Sequence, residues 1–385
     1  MLKKVILYTI ISFIVTLLPL IYLYIKENIG NNNKNIYLVG NYPVIHETKF
    51  GGIYIKITIA DFNDLGYEFG DSVDIKFSNG YELLDLPYYN GFYVDINEPL
   101  LIGYPGYDYI KVAINYGEDL YIKANLTEND MATISLKEKA KYIKIQKAMD
   151  ISYEIEQGNT PDAVFANFRN VKVGNIKENI LYRSASPSDN AYNRAPVVDK
   201  LIKEAGINHI IDLSNKDEDL KNLVNKNDFN SPYFLTLYNA NKVTALGMKM
   251  QFKKQDFKEK LVKGLTAIDD NSGPYLVHCV EGKDRTGYVM MLIEALLGAS
   301  YQEIIDDYME TYKNYYGITK ETDKDRYETI KEKNIDVMLH YIIDDENNEK
   351  DLSKIDNYAT LAKNYLLSIG MTEEIINKII KQLSE

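Results

Sequence analysis

Ten residues, HCVEGKDRTG from His278 to Gly287, gather more reactive chemistry than any other stretch of this 385-residue chain. They include its only cysteine, Cys279, followed after five residues by Arg285 and then by Thr286. A thiol attacks as its thiolate, which nearby cations and a helix N-terminus favour. Arg285 offers a planar fork for two phosphoryl oxygens and neutralises charge that develops on them. Gly282 lets the chain bend so that the N–H groups of Val280, Glu281 and Lys283 turn toward a bound anion. Thr286 sets a hydroxyl beside the sulfur, where it assists departure of the thiolate. His278 abuts the nucleophile and orients the loop by hydrogen bonding. Lys283 is either a second cation at the pocket or a solvated loop lysine.

These groups work only if a strand delivers the loop and a helix receives it. Tyr275-Leu276-Val277-His278 has the composition of a buried strand, and an apolar helix is expected from about Thr286 to Leu297. Upstream, Pro196 to Ala205 is spaced as a helix and Ile207 to Leu213 reads as a strand buried in a parallel sheet. Phe257, Leu261, Leu265 and Ile268 fall on one helix face. Ser300 with Glu303 forms a capping box, and Thr372 opens a last helix. Such alternation predicts an α/β domain over 155–385 with a central, mainly parallel sheet flanked by helices.

The loop resembles the His-Cys-x5-Arg-[Ser/Thr] signature of the cysteine-dependent protein tyrosine phosphatase superfamily. The upstream stretch NFRNVKVGNIKENILYRSASPSDN, Asn167 to Asn190, is similar to a block of that superfamily's atypical bacterial branch, and INHIIDLSN to a second block. The likeness covers roughly residues 160–320. It implies hydrolysis of phosphomonoesters through a phosphocysteine on Cys279, with phosphotyrosine, inositol phosphates or phosphoinositides as substrates and no cofactor. Asn170 and Ser214 stand where many members have Asp and Arg.

The general acid is less plainly written. Conventional members supply an Asp some 30 residues before the cysteine, but Ser231 to Met248 contains no acidic residue. Asp284 is the substitute that the resemblance implies. Asp212, at a strand end, comes second as acid or substrate contact, and Asp269 or Asp270 third. Arg183, Asn241 and Lys242 are further expected substrate contacts. The four histidines, at 46, 209, 278 and 340, show no paired ligand spacing, so no metal is expected.

The rest of the chain frames this domain. Val5 to Ile25 is an uncharged run of 21 residues, enough to cross a bilayer core of about 30 Å. With Lys3 and Lys4 ahead of it, residues 1–26 read as a membrane anchor that leaves the catalytic domain outside; a cleaved signal is the alternative. Residues 27–45 form a polar, Asn-rich linker. Residues 46–145 read as a small all-β domain, a barrel or sandwich, because Ile53, Ile55, Ile57 and Ile59 alternate with polar residues, as do Val73, Ile75 and Phe77. Asn79-Gly80 and Asn90-Gly91 are expected hairpin turns. This domain is weakly similar to the C-terminal β-domain of the S-adenosylmethionine hydrolase and halogenase family, without that family's catalytic partner domain.

Charge and cysteine content narrow the function. The whole chain carries −12, and residues 46–138 hold 16 acidic residues against 6 Lys and no Arg. A nucleic-acid partner is thereby excluded, since such binding rests on Lys and Arg neutralising phosphates. A single cysteine excludes a disulfide framework and a zinc–cysteine or iron–sulfur site. An arsenate reductase also uses Cys-x5-Arg but needs resolving thiols that this chain lacks. The competing non-enzyme reading is an inactive module that binds phosphate in a surface complex.

Overall fold

The computed structural model describes residues 38–48, 51–95, 97–152 and 158–385. They divide between Gln146 and Lys147 into two compact units. The first is a closed barrel of seven strands: β1 (Leu38–His46), β2 (Ile53–Ile55), β3 (Ser72–Phe77), β4 (Glu82–Tyr89), β5 (Pro99–Ile102), β6 (Ile110–Ile114) and β7 (Met131–Glu138), joined in the order β1-β2-β6-β5-β4-β3-β7. Ile53, Ile55, Val73, Ile75, Phe77, Ile110 and Val112 all point into one core. Each buried side chain of this size stabilises the fold by about 1.5–3 kcal/mol.

Several expectations are corrected here. The run Val5–Ile25, read as a transmembrane helix, lies outside the described residues, and among the described residues no helix is long and apolar enough to cross a membrane. The described residues thus form a closed barrel unit and an α/β unit, with no membrane-spanning helix among them. The barrel unit is not purely β, since short helices Ile59–Asp64 and Leu120–Lys123 belong to it. The Asn79-Gly80 turn holds three residues rather than two: Phe77 and Tyr81 pair across it, and Gly80 takes φ 90°. Asn90-Gly91 makes no hairpin, because β4 and β5, which flank it, run parallel. Lys111 breaks the outward alternation of β6, being buried against Glu47 at 2.6 Å.

The second unit holds a five-stranded sheet of β8 (Arg169–Asn170), β9 (Leu181–Ser184), β10 (His209–Asp212), β11 (Val243–Ala245) and β12 (Tyr275–His278), in the order β11-β10-β12-β9-β8. Four strands are parallel, and only the edge strand β8 is antiparallel, to β9. Successive strand residues face opposite sides, so each strand feeds two helical layers. Ile210 and Leu276 pack with Val198, Ile202, Leu220, Phe234 and Leu237 from helices Ala195–Glu204, Asp217–Val224 and Pro232–Asn239. Ile211 turns the other way, toward Leu261 and Leu265 of helix Gln255–Asp270 and Val289 and Ile293 of helix Asp284–Leu296. This last helix is mostly apolar and buried from Thr286 to Leu296, the pattern of a helix enclosed by other elements. It begins two residues before the expected Thr286, which puts Asp284 and Arg285 in its first turn. Ser300 and Glu303 complete their capping box on helix Tyr301–Tyr316, and Thr372 caps helix Glu373–Ser384.

One buried group makes the fold sensitive to acid. His209, 2% exposed, accepts or donates one hydrogen bond with Thr244 Oγ1 at 2.9 Å. Burial first, and the Lys242 ammonium second, push its pKa from 6.5 down to about 4. The unfolded chain thus binds a proton between about pH 6.5 and 4 that the folded chain refuses. Stability is full above pH 6.5 and falls as pH drops through that window, by up to about 3 kcal/mol. Chemical denaturation of His209→Gln across this range should show a flatter pH dependence than the unaltered chain. An equal slope in both would remove His209 as the cause.

Candidate active site

Because the four parallel strands share a direction, their C-terminal ends emerge on one side of the sheet, where ligand sites of such folds lie. β12 ends at His278, and the chain crosses from Cys279 to Lys283 before the helix starts at Asp284. Cys279 is a free thiol, 3% exposed. The four carbonyls that follow the strand are each fastened away from a common centre. The Cys279 carbonyl accepts from His278 Nδ1 at 3.2 Å, and that of Val280 from the Ser186 N–H at 3.0 Å. The Glu281 carbonyl accepts from the Tyr315 hydroxyl at 2.7 Å. That of Gly282 accepts from Arg183 Nη2 at 2.8 Å and Asn167 Nδ2 at 3.3 Å.

A trans peptide is planar, with its C=O and N–H on opposite sides. Fixing these four carbonyls outward therefore turns the N–H groups of Val280, Glu281, Gly282 and Lys283 the other way. Among the described residues none of these four donors has a protein acceptor. They form a nest of partial positive charge at a helix N-terminus, the arrangement that holds phosphate oxygens.

Gly282 has to be glycine here. Its φ is +69°, and a Cβ would stand 2.2 Å from the Ser184 carbonyl oxygen and 3.0 Å from the Ala185 nitrogen, both backbone atoms. Gly282→Ala is expected to destabilise the unit by about 1–3 kcal/mol through the strained φ and the contact. Displacing the nest by about an ångström should also lower kcat/KM on p-nitrophenyl phosphate by roughly 10²-fold. A melting curve and steady-state kinetics read both effects, and unaltered kinetics would show that the loop tolerates the shift.

The side chains around the nest differ in how free they are. Arg285 donates from Nη1 to the Met248 carbonyl at 3.0 Å, which ties it to the segment after β11. Thr286 is fully buried and its hydroxyl has no hydrogen-bond partner. The Asp284 side chain is 47% exposed, 4.0 Å from Lys283 Nζ. Burial raises the Glu281 carboxyl above its ordinary range, as does Asp284, against the cations Lys283 and Arg285.

Lys283 points away from the nest, to the Tyr316 hydroxyl at 3.2 Å, with its ammonium over the Tyr312 and Tyr316 rings. Burial alone works against its charge, but Asp284, Tyr312, Glu281 and Tyr316 outweigh it and keep it an ammonium. His278 is fully buried; its Nε2 lies 3.8 Å from Asp212 Oδ2, beyond hydrogen-bond reach.

Six expected site residues fall elsewhere. Arg183 is 1% exposed, ion-paired through Nη1 with Asp307 Oδ2 and spent on the Gly282 carbonyl, so it backs the loop and does not face a substrate. Asp212 is fully buried; its carboxylate accepts from Ser214 N–H and Oγ and from Asn215 N–H and Nδ2, the work of a turn cap. Asn241 and Lys242 precede β11, and Lys242 Nζ reaches Asn208 ahead of β10. They sit at the N-terminal ends of parallel strands, across the sheet from the loop. Asp269 and Asp270 precede β12 and are remote for the same reason; Asp269 lies 3.8 Å from Lys378.

Sequence reading missed the residues that hold the loop: Asn167, Arg169, Ser186, Met248, Asp307 and Tyr315. A signal was present for two of them. Asp307, Thr311 and Tyr315 recur every four residues on helix Tyr301–Tyr316, a polar stripe whose members are all buried.

Residues 165–385 match the model of the tyrosine phosphatase family. No curated protein matches the chain. Solved structures similar to it include an uncharacterised conserved protein from Thermotoga maritima, 23% identical over 26% of this chain and 35% of that one, with a TM-score of 0.22. The chain thus spans about 35% of that protein's length. Another is the core catalytic domain of the PP-IP phosphatase SIW14 from S. cerevisiae in complex with citrate, 20% identical over 48% of this chain and 94% of that one, with a TM-score of 0.27.

Proposed function

The chain belongs to the tyrosine phosphatase family through residues 165–385, and from that premise we propose that it hydrolyses phosphomonoesters through a phosphocysteine on Cys279. The observation that carries this reading is the nest: four outward carbonyls, hence four inward N–H groups, directly after a buried cysteine at the start of a helix. In the first step the Cys279 sulfur forms a bond to phosphorus as the P–O bond to the leaving group breaks. Asp284 delivers its proton to the departing oxygen. In the second step water attacks phosphorus, Asp284 takes the proton back, and the P–S bond breaks to return the thiolate. Arg285 and the nest neutralise the equatorial oxygens throughout, and the Thr286 hydroxyl donates to the leaving sulfur.

The substrates proposed are phosphotyrosine in proteins and inositol phosphates or phosphoinositides. Lys283 is turned toward Tyr312 and Tyr316, so selectivity among these substrates rests on the rim rather than on a second cation in the nest. Turnover of p-nitrophenyl phosphate with competitive inhibition by vanadate tests the reaction. A panel of phosphotyrosine peptides, phosphoserine peptides, phosphoinositides and phytate tests the substrate class. A chain that binds vanadate but turns over none of them would be a binding module instead.

A further inference from the structure

The four fastenings of the nest are unequal. Those on Cys279, Val280 and Glu281 are single hydrogen bonds, whereas Gly282 is held by a buried charged assembly. Arg183 donates to its carbonyl and pairs with Asp307. Arg169 donates from Nε to the same carboxylate at 2.9 Å and from Nη2 to the Asp307 carbonyl at 2.7 Å. Arg169 also holds Asn167 Oδ1 at 2.6 Å, and Asn167 is the second donor to Gly282. Thr311, one turn beyond Asp307, accepts from both Asn167 and Arg169.

Charge bookkeeping gives this cluster a direction. Burial raises the Asp307 carboxyl, but Arg169 and Arg183 outweigh it and hold the group ionised, below the ordinary carboxylate range. Glu294, 1% exposed on the helix that the loop opens, is the other carboxyl at hand. Burial and then Asp307 push it well above the ordinary range. Two guanidinium groups thus share the one Asp307 carboxylate behind Gly282. A cluster serving only to join helices is better replaced by apolar side chains, because burying ions costs several kcal/mol each.

We infer that Arg183 and Arg169, clamped by Asp307, are positioning residues of the reaction: they hold the Gly282–Lys283 peptide with its N–H toward the phosphate and set positive charge behind the bound anion. This rests on reading the nest as the phosphate site. Arg183 touches the loop directly and Arg169 through Asn167 and Asp307, so both act on one carbonyl and not on the substrate.

The test uses the full-length chain with Arg183→Lys and Asp307→Asn. Orthophosphate affinity is titrated in a Cys279→Ser background, and KM and kcat for p-nitrophenyl phosphate are measured with Cys279 present. Arg183→Lys keeps the charge but loses the fork, so orthophosphate affinity should fall about tenfold and kcat/KM by roughly 10–100-fold, with KM taking a share of the loss. Asp307→Asn should act in the same direction. Unchanged orthophosphate affinity in the folded variants, with only a lower melting temperature, would overturn the inference. If Arg183 variants do not fold, Asn167→Ala and Thr311→Val remove neutral members. A few-fold loss of affinity is expected from each, and none from either would equally overturn it. If the unaltered chain binds orthophosphate but hydrolyses no ester, the phosphatase reading fails while the titrations still decide the positioning role.

Discussion

Cys279→Ser should lower turnover of p-nitrophenyl phosphate by roughly 10⁴–10⁶-fold, the scale seen when a sole nucleophile is removed. A hydroxyl at this position needs a base to activate it. The nearest imidazole, His278, is spent on the Cys279 carbonyl through Nδ1, and its buried Nε2 makes no hydrogen bond and lies 3.8 Å from Asp212 Oδ2. The nest itself is built from peptide groups fastened by Ser186, Tyr315 and Arg183, so the variant should still bind orthophosphate. Loss of turnover with retained anion binding separates the chemical step from the cradle. Turnover near that of the unaltered chain would end the phosphocysteine mechanism.

Asp284→Asn should slow alkyl phosphates by about 10²–10⁴-fold, the usual contribution of a general acid, and p-nitrophenyl phosphate far less. Nitrophenolate departs without a proton, whereas an alkoxide does not, so the size of the effect should grow with the basicity of the leaving group. A purely structural role at the helix N-terminus predicts something different: a loss of about 0.3–1 kcal/mol in stability and no leaving-group dependence. Asp284 is the more accessible of two carboxyls, with its side chain 47% exposed at the start of the helix. Glu281 is the rival, because burial raises its carboxyl toward the range a general acid needs. A series of aryl and alkyl phosphates run on Asp284→Asn and Glu281→Gln decides between them. Leaving-group dependence that steepens only in Glu281→Gln would transfer the role.

The parts of the site carried by consecutive residues were legible in the chain. The strand Tyr275–His278 is bounded in the structure where its apolar run ends, and the cysteine, the glycine and the arginine follow in one loop. Local chemistry also wrote the Ser300–Glu303 capping box and the Thr372 cap, since both depend on contacts within a single turn. Less legible was anything set by strand direction. Asn241, Lys242, Asp269 and Asp270 are apt residue types close to the right elements, but the parallel sheet carries them to its opposite edge. The parallel β4–β5 pair likewise removed a hairpin that Asn90-Gly91 suggested.

Sequence alone therefore determined which groups stand together: the Cys279 thiol, the Gly282 bend and the Arg285 guanidinium, because their nearness follows from residue type and spacing inside ten positions. Tertiary structure decided what holds them and which basic residues are tied up behind the loop. Arg183 reads as a substrate contact until β9 is laid beside β12. Asp307 then meets it from a helix 124 positions away in sequence. Long-range pairing of this kind leaves no local spacing to read, since a buried charge is satisfied by whichever partner the packing of two helices and a sheet brings within reach.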